Sequence, residues 1–129
     1  MKRRLDPLSV RRSVLYLLLD DAFLLGQVAY ELAPEGSGPG KALEAADDAA
    51  PEAARMLEKG WIRVLKTTDP DGANDTEVLD LSRALAALLD RKNWEMPDRS
   101  TRETYSLEMT PAGQGELRRI ASGPSGNGA

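Results

Sequence analysis

A mostly helical α+β domain is the fold class that three features of this 129-residue chain predict. Five stretches repeat apolar side chains at helical spacing. Two short runs, residues 61–67 and 104–110, alternate with a period of two. Gly60 and Thr110-Pro111 punctuate the outer ends of those two runs. The alternation puts Tyr105, Leu107 and Met109 on one face of the second run. Equal length and matching boundaries predict that the two runs pair antiparallel, with residues 1–122 forming a single domain.

The elements follow in order. Asp6-Pro7 reads as an N-cap and first helical residue, opening a helix that carries Val14, Leu15, Leu18 and Leu19 on its apolar stripe. Asp20-Asp21 breaks it. A second helix, residues 23–32, stacks Leu24, Leu25, Val28, Ala29 and Leu32 and stops before Pro34, because the residue preceding proline avoids the helical region. Residues 35–40 are a glycine-rich loop. The alanine-rich stretch 41–59 reads as a third helix with Leu43, Ala46, Ala50, Ala53 and Leu57 in phase. Pro51 acts either as a kink or as a second start, and Gly60 takes the residue position after the C-cap. After the first strand, residues 68–76 have turn composition. Ser82 is the predicted cap of a helix reaching Arg91, with Leu85, Leu88 and Leu89 inward. Residues 93–102 are irregular, and Thr110-Pro111 starts a C-terminal helix. The Gly/Ser-rich tail, 123–129, is predicted to be disordered. The predicted core is Leu15, Leu18, Leu25, Val28, Leu57, Ile62, Leu85, Leu107 and Leu117.

Composition narrows the chemistry. The chain has neither cysteine nor histidine. That removes disulfides, thiolate ligands and the commonest general base near neutral pH. Carboxylates, lysine and serine remain, but no catalytic constellation is evident, so the reading is non-enzymatic and without a cofactor. The apolar run from Val14 to Leu19 ends at Asp20-Asp21, far short of a membrane span, and the cytoplasm is the expected compartment. Asp69, Asp71, Asn74, Asp75 and Glu77 crowd oxygens together but lack the order of a calcium-binding loop and read as an acidic turn. Trp61, Trp94 and Tyr105 read as core packing and not as a ligand pocket.

Net charge is −4, but it is banded. Residues 1–12 carry five basic groups against Asp6, and residues 20–58 carry nine acids against Lys41 and Arg55. Residues 59–66 are purely basic through Lys59, Arg63 and Lys66. A polyanion surface must therefore come from local bands and not from the total.

Two local signatures carry a family resemblance. Leu57-Glu58-Lys59-Gly60-Trp61-Ile62 resembles the junction between recognition helix and first wing strand of winged helix-turn-helix proteins. Tyr105-Ser106-Leu107-Glu108-Met109-Thr110-Pro111-Ala112-Gly113 resembles the return strand of MarR-type and PadR-type regulators, with two extra residues before Thr-Pro. The resemblance implies a winged-helix-like three-helix core, a two-stranded antiparallel β-hairpin, a helix inserted in the wing and a C-terminal helix. More than thirty residues separate the two strands, where a simple wing has a short loop.

It also implies a homodimeric transcriptional regulator that binds double-stranded DNA. Its contacts would come from Lys2, Arg3, Arg4, Arg11 and Arg12 at the N-terminus, then Arg55, Lys59, Arg63 and Lys66, with Arg99 and Arg102. Against that stand Glu44, Asp47, Asp48 and Glu52, which occupy the part of the third helix where base edges are read. Glu52 is also spaced to pair with Arg55. The alternative is a protein-interaction module of adaptor, immunity or regulatory type, built on the same fold without DNA binding.

Overall fold

In a computed structural model, described for residues 6–68, 75–98 and 100–122, Asp6 caps the first helix, α1 (Pro7–Leu17), by accepting the Ser9 amide at 3.1 Å. Phe23 and Leu24 do not start the second helix. They form a two-residue strand, β1 (Phe23–Leu24), and α2 begins one residue later (Leu25–Leu32). Pairing of Phe23 with Leu107 and of Leu24 with Ser106 outweighs the local helical pattern. Gln27 closes the junction by accepting the Leu24 amide at 2.9 Å. Ala33, before Pro34, is extended, as the proline predicts.

The third helix, α3 (Pro39–Glu58), starts two residues earlier than predicted and runs unbroken through Pro51. Its buried face is shifted by one position. Ala42, Ala45, Ala46, Ala49, Ala53 and Met56 are buried, while Leu43, Ala50 and Leu57 are only partly so. Small side chains let α1, α2 and a later helix approach α3 from several sides, so packing and not residue size sets the phase. Glu52 shares that buried face.

Gly60 ends α3 with φ 80°, a left-handed conformation that glycine adopts without strain. The strand β2 (Ile62–Thr68) follows. A strand that the turn composition concealed, β3 (Asp75–Val78), pairs with β2 from Leu65↔Val78 to Thr68↔Asp75. All four of its residues are exposed, so ladder hydrogen bonds hold it and no buried face marks it in the sequence. Of the acidic turn, residues 69–74 lie outside the described residues.

The inserted helix, α4 (Leu81–Leu89), is capped by Asp80, which accepts the Arg83 amide at 2.9 Å, and not by Ser82. Ala84, Ala87 and Leu88 face inward, Leu85 is half-buried, and Leu89 points to solvent. A 3-10 helix, Arg91–Trp94, turns the chain back. Asn93 Nδ2 donates to the Ala87 carbonyl at 3.0 Å, and buried Trp94 Nε1 donates to the Leu88 carbonyl at 2.8 Å. Trp94 thereby satisfies the Leu88 carbonyl at the end of α4, and Asn93 adds a second donor to the Ala87 carbonyl, which also accepts the Asp90 amide.

The return strand, β4 (Glu103–Met109), pairs antiparallel with β2 along its whole length, from Ile62↔Met109 to Thr68↔Glu103, as the sequence predicts. The sheet order is β1-β4-β2-β3, four strands where two were expected. Ile62, Val64, Leu107 and Met109 face the core and Tyr105 is half-buried. Of the predicted core, only Leu57 and Leu85 are not fully inside.

The C-terminal helix, α5 (Pro111–Ser122), is welded to the α3–β2 corner. The Thr110 amide donates to the Trp61 carbonyl at 3.0 Å, and the Thr110 hydroxyl donates to the Gly60 carbonyl at 2.5 Å. The same hydroxyl accepts the Gly113 amide at 3.1 Å. A Cβ on Gly113 would lie 2.1 Å from the Trp61 carbonyl oxygen, so only glycine fits. The strand therefore runs straight into a helix because one threonine serves both the helix cap and the neighbouring corner.

Two substitution pairs test this packing by urea or thermal unfolding. Gly113→Ala should destabilise by about 1–3 kcal/mol or more through the backbone clash. Gly115→Ala, in the same helix with nothing near its Cβ, should be neutral or stabilising by up to about 1 kcal/mol. Met56→Ala should cost about 2–5 kcal/mol, and Leu57→Ala roughly half of that, reporting the shifted phase of α3.

Candidate functional site

Arg11 sits on α1 one position past buried Val10, which aims it at the α3–α5 side of the helix. Its Nε donates to Glu52 Oε2 at 2.9 Å and one terminal nitrogen donates to Glu116 Oε2 at 3.1 Å. Its guanidinium carbon lies 4.9 Å from the centroid of the Trp61 ring, within reach of a cation–π contact. Glu52 is 1% exposed, and its second oxygen accepts from Arg55 Nε at 2.9 Å. Glu116, 7% exposed, is gripped by Arg119 through two bonds of 2.8 and 2.7 Å. A chain of alternating charges, Arg55–Glu52–Arg11–Glu116–Arg119, thus joins three helices. The Arg119 guanidinium, ahead of Arg11, holds the Glu116 carboxyl below the usual glutamate range, against the opposing effect of its burial.

The predicted DNA contacts fall into distinct groups. Lys2, Arg3, Arg4 and Arg99 lie outside the described residues. Arg11 and Arg55 are brought together, but around Glu52, as members of the internal ion chain. Arg63 and Lys66 alternate to opposite faces of β2 and do not share a surface. Arg63 Nε lies 3.1 Å from Glu108 Oε1 without the alignment of a hydrogen bond, and Lys66 Nζ lies 3.4 Å from Glu103 Oε2. Arg102 is exposed. Arg12 and Lys59 are exposed and carry no ion pair among the described residues.

The outer surface of α3 is also partly taken. Both α4 and the 3-10 helix pack against it. Arg91 clasps Asp47 through Nε–Oδ1 at 2.9 Å and a terminal nitrogen to Oδ2 at 3.2 Å. Glu44, which pairs with Lys41 at 3.6 Å, and Asp48 remain part-exposed alongside, so the helix is acidic beside this cover, while Lys41 and Arg55 are exposed elsewhere along it. The sequence flagged those acids but not their cover, since nothing local ties Arg91 to a residue forty-four positions earlier. Of the ion chain the sequence showed only that Glu52 is spaced to pair with Arg55; its burial follows from the Ala49–Met56 phase, which the packing sets.

A depression of about 310 Å³ opens between the start of α2 and residues 92–105, with Lys92, Asp98, Ser100 and Thr101 at its edge. Asp98 accepts from the Ser100 amide and hydroxyl and from the Thr101 hydroxyl at 2.9, 2.7 and 3.2 Å. The Ser100 hydroxyl leads in holding its carboxyl below the ordinary aspartate value. Asp98 is thereby committed to shaping its own loop as a carboxylate, unsuited to proton donation near neutral pH.

No helix among the described residues is long and apolar enough to cross a membrane. No family model matches the chain, and no curated protein or solved structure matches it significantly.

Two measurements probe the ion chain. Arg11→Ala leaves two buried carboxylates without their shared cation and should cost about 3–5 kcal/mol in urea unfolding. For Glu116 the lowered folded-state pKa means that its stabilisation is complete above the ordinary glutamate value. It is lost as pH falls through the lowered one. Glu116→Gln should therefore flatten the decline of stability below about pH 4.5 while lowering stability at pH 7.

Proposed function

We propose that the chain is an atypical winged-helix protein that acts as a non-enzymatic protein-interaction module and not as a reader of duplex DNA. The element order, with a short strand before α2 and a return strand between β1 and β2, supports the winged-helix part. One observation carries the rest: the inserted α4 and 3-10 helix lie against α3, and the part of α3 beside them carries Glu44, Asp47 and Asp48, where a reading helix would need basic or amide side chains. In a DNA-reading winged helix that face enters the major groove, where carboxylates meet phosphates at an electrostatic loss. The same insertion enlarges the wing into a folded surface of its own, which suits a protein partner.

Duplex DNA binding is the second reading. It is favoured by Arg12 and Lys59, whose charges are not neutralised within the described residues. Binding to mixed-sequence duplexes at 50 and about 200 mM salt separates the two readings. The interaction module should show no salt-dependent binding. An affinity that falls by about a thousandfold or more between those salts would return the protein to the DNA-binding class. In that case Lys59→Ala should reduce affinity for all sequences about equally and make the salt slope shallower by about one unit.

A further inference from the structure

The sheet has two edges, and they differ. β1 forms one with two partly buried residues, and β3 forms the other with all four of its residues exposed. Antiparallel pairing directs the backbone groups of alternate residues toward and away from the neighbouring strand. The Leu79 amide donates to the Val64 carbonyl at 2.9 Å, so Leu79 points at β2. The alternation then turns Glu77 and Asp75 toward β2 as well, and the amides and carbonyls of Thr76 and Val78 outward. Among the described residues no backbone bond outside the β2–β3 ladder reaches Thr76 or Val78.

Exposed strand edges usually carry a proline, a lysine or a bulge that blocks further pairing. β3 has neither of those residues, and its register with β2 is unbroken. Its two faces are chemically distinct. On one, Val78 ends a cross-strand row through Leu24, Ser106 and Leu65 and is 56% exposed. On the other stand Asp75 and Glu77. Residues 69–80 hold five acids and no basic residue, and Arg83 pairs with one of them, Glu77. A strand laid along this edge therefore meets apolar surface on one face and negative charge on the other.

We infer that the free edge of β3 receives an extended basic segment of a partner protein, which joins the sheet as a fifth, antiparallel strand. Its backbone bonds to Thr76 and Val78, a β-branched aliphatic side chain lies beside Val78, and lysine or arginine lies beside Asp75 and Glu77. This docking mode rests on the interaction-module reading and names the chemistry of its partner.

A capped hexapeptide alternating valine and lysine is the probe, titrated into the full chain and followed by amide NMR shifts and hydrogen exchange. In the free protein the Thr76 and Val78 amides should exchange faster than those of Glu77 and Leu79. The peptide should bind with a Kd on the order of 1 mM, the scale of a few ladder bonds. At about ten times that concentration it should slow exchange at Thr76 and Val78 roughly tenfold. N-methylation of its valines, whose amides face β3 in antiparallel pairing, should abolish binding, and N-methylation of its lysines should not. Glutamate in place of lysine should weaken binding by about tenfold or more. Thr76→Pro removes only an outward amide, so that variant should fold, by circular dichroism, and lose the peptide. Thr76 and Val78 amides left unprotected by the peptide would overturn the inference. So would binding indifferent to valine methylation or to the charge of the peptide. Protection that grows with protein concentration alone would assign the edge to a second copy and overturn it too. Salt-dependent duplex binding strikes the interaction-module reading instead, and it is measured without the peptide.

Discussion

Arg11 is the side chain on which the relative placement of α1, α3 and α5 depends. It bridges two carboxylates that are almost wholly withdrawn from water, and it lies over the indole that follows the α3–β2 corner. A buried carboxylate short of partners is far more costly than a buried methyl group, so the arrangement is cooperative: Glu52 and Glu116 each have a cation on their own helix, and Arg11 is the one they share across helices. Arg55 and Arg119 close the chain from the solvent side and complete the acceptor needs of Glu52 and Glu116. Such a network adds little net stability over an apolar core of the same volume, but its geometry admits few alternative packings.

A second constraint acts at the same corner through the backbone. Gly60, Trp61, Thr110 and Gly113 form a contact in which carbonyl, hydroxyl and amide groups are shared across fifty residues. The ion chain and this contact meet at Trp61, whose ring takes Arg11 and whose carbonyl takes Thr110. The closed corner explains how a sheet can accept a large insertion between β2 and β4. Their pairing is anchored at the Ile62–Met109 end, and the far end is free to carry β3, α4 and the 3-10 helix.

That insertion is what separates fold from function here. Among the described residues, four of the basic side chains that suggest a polyanion surface are engaged within the molecule: Arg11 and Arg55 inside the ion chain, and Arg63 and Lys66 beside acids of β4 on opposite sides of one strand. The surface of α3 is partly covered, and beside that cover it carries Glu44, Asp47 and Asp48. Charge left over at the surface is local and mixed in sign, and the open edge of the sheet is acidic. A strand edge set among acids suits a polypeptide more than a phosphate backbone.

The sequence by itself determined the helices, the two central strands and their pairing. These rest on signals within a few residues: Asp6-Pro7, Pro34, Gly60, Thr110-Pro111 and the alternation in residues 61–67 and 104–110. It also marked the third helix as acidic and Glu52 as spaced to pair with Arg55. What only the tertiary structure decided depends on partners far along the chain. Phe23-Leu24 became a strand because β4 was there to pair with it, and β3 formed on ladder bonds without a buried face. The phase of α3 moved by one residue because neighbouring helices close on its alanines. Arg11, which periodicity places on the polar side of its helix, turned inward because Glu52 and Glu116 arrive there from forty-one and one hundred and five residues away. Periodicity reports which residues can be buried. Only the assembled fold supplies the opposite charge that lets an arginine be among them.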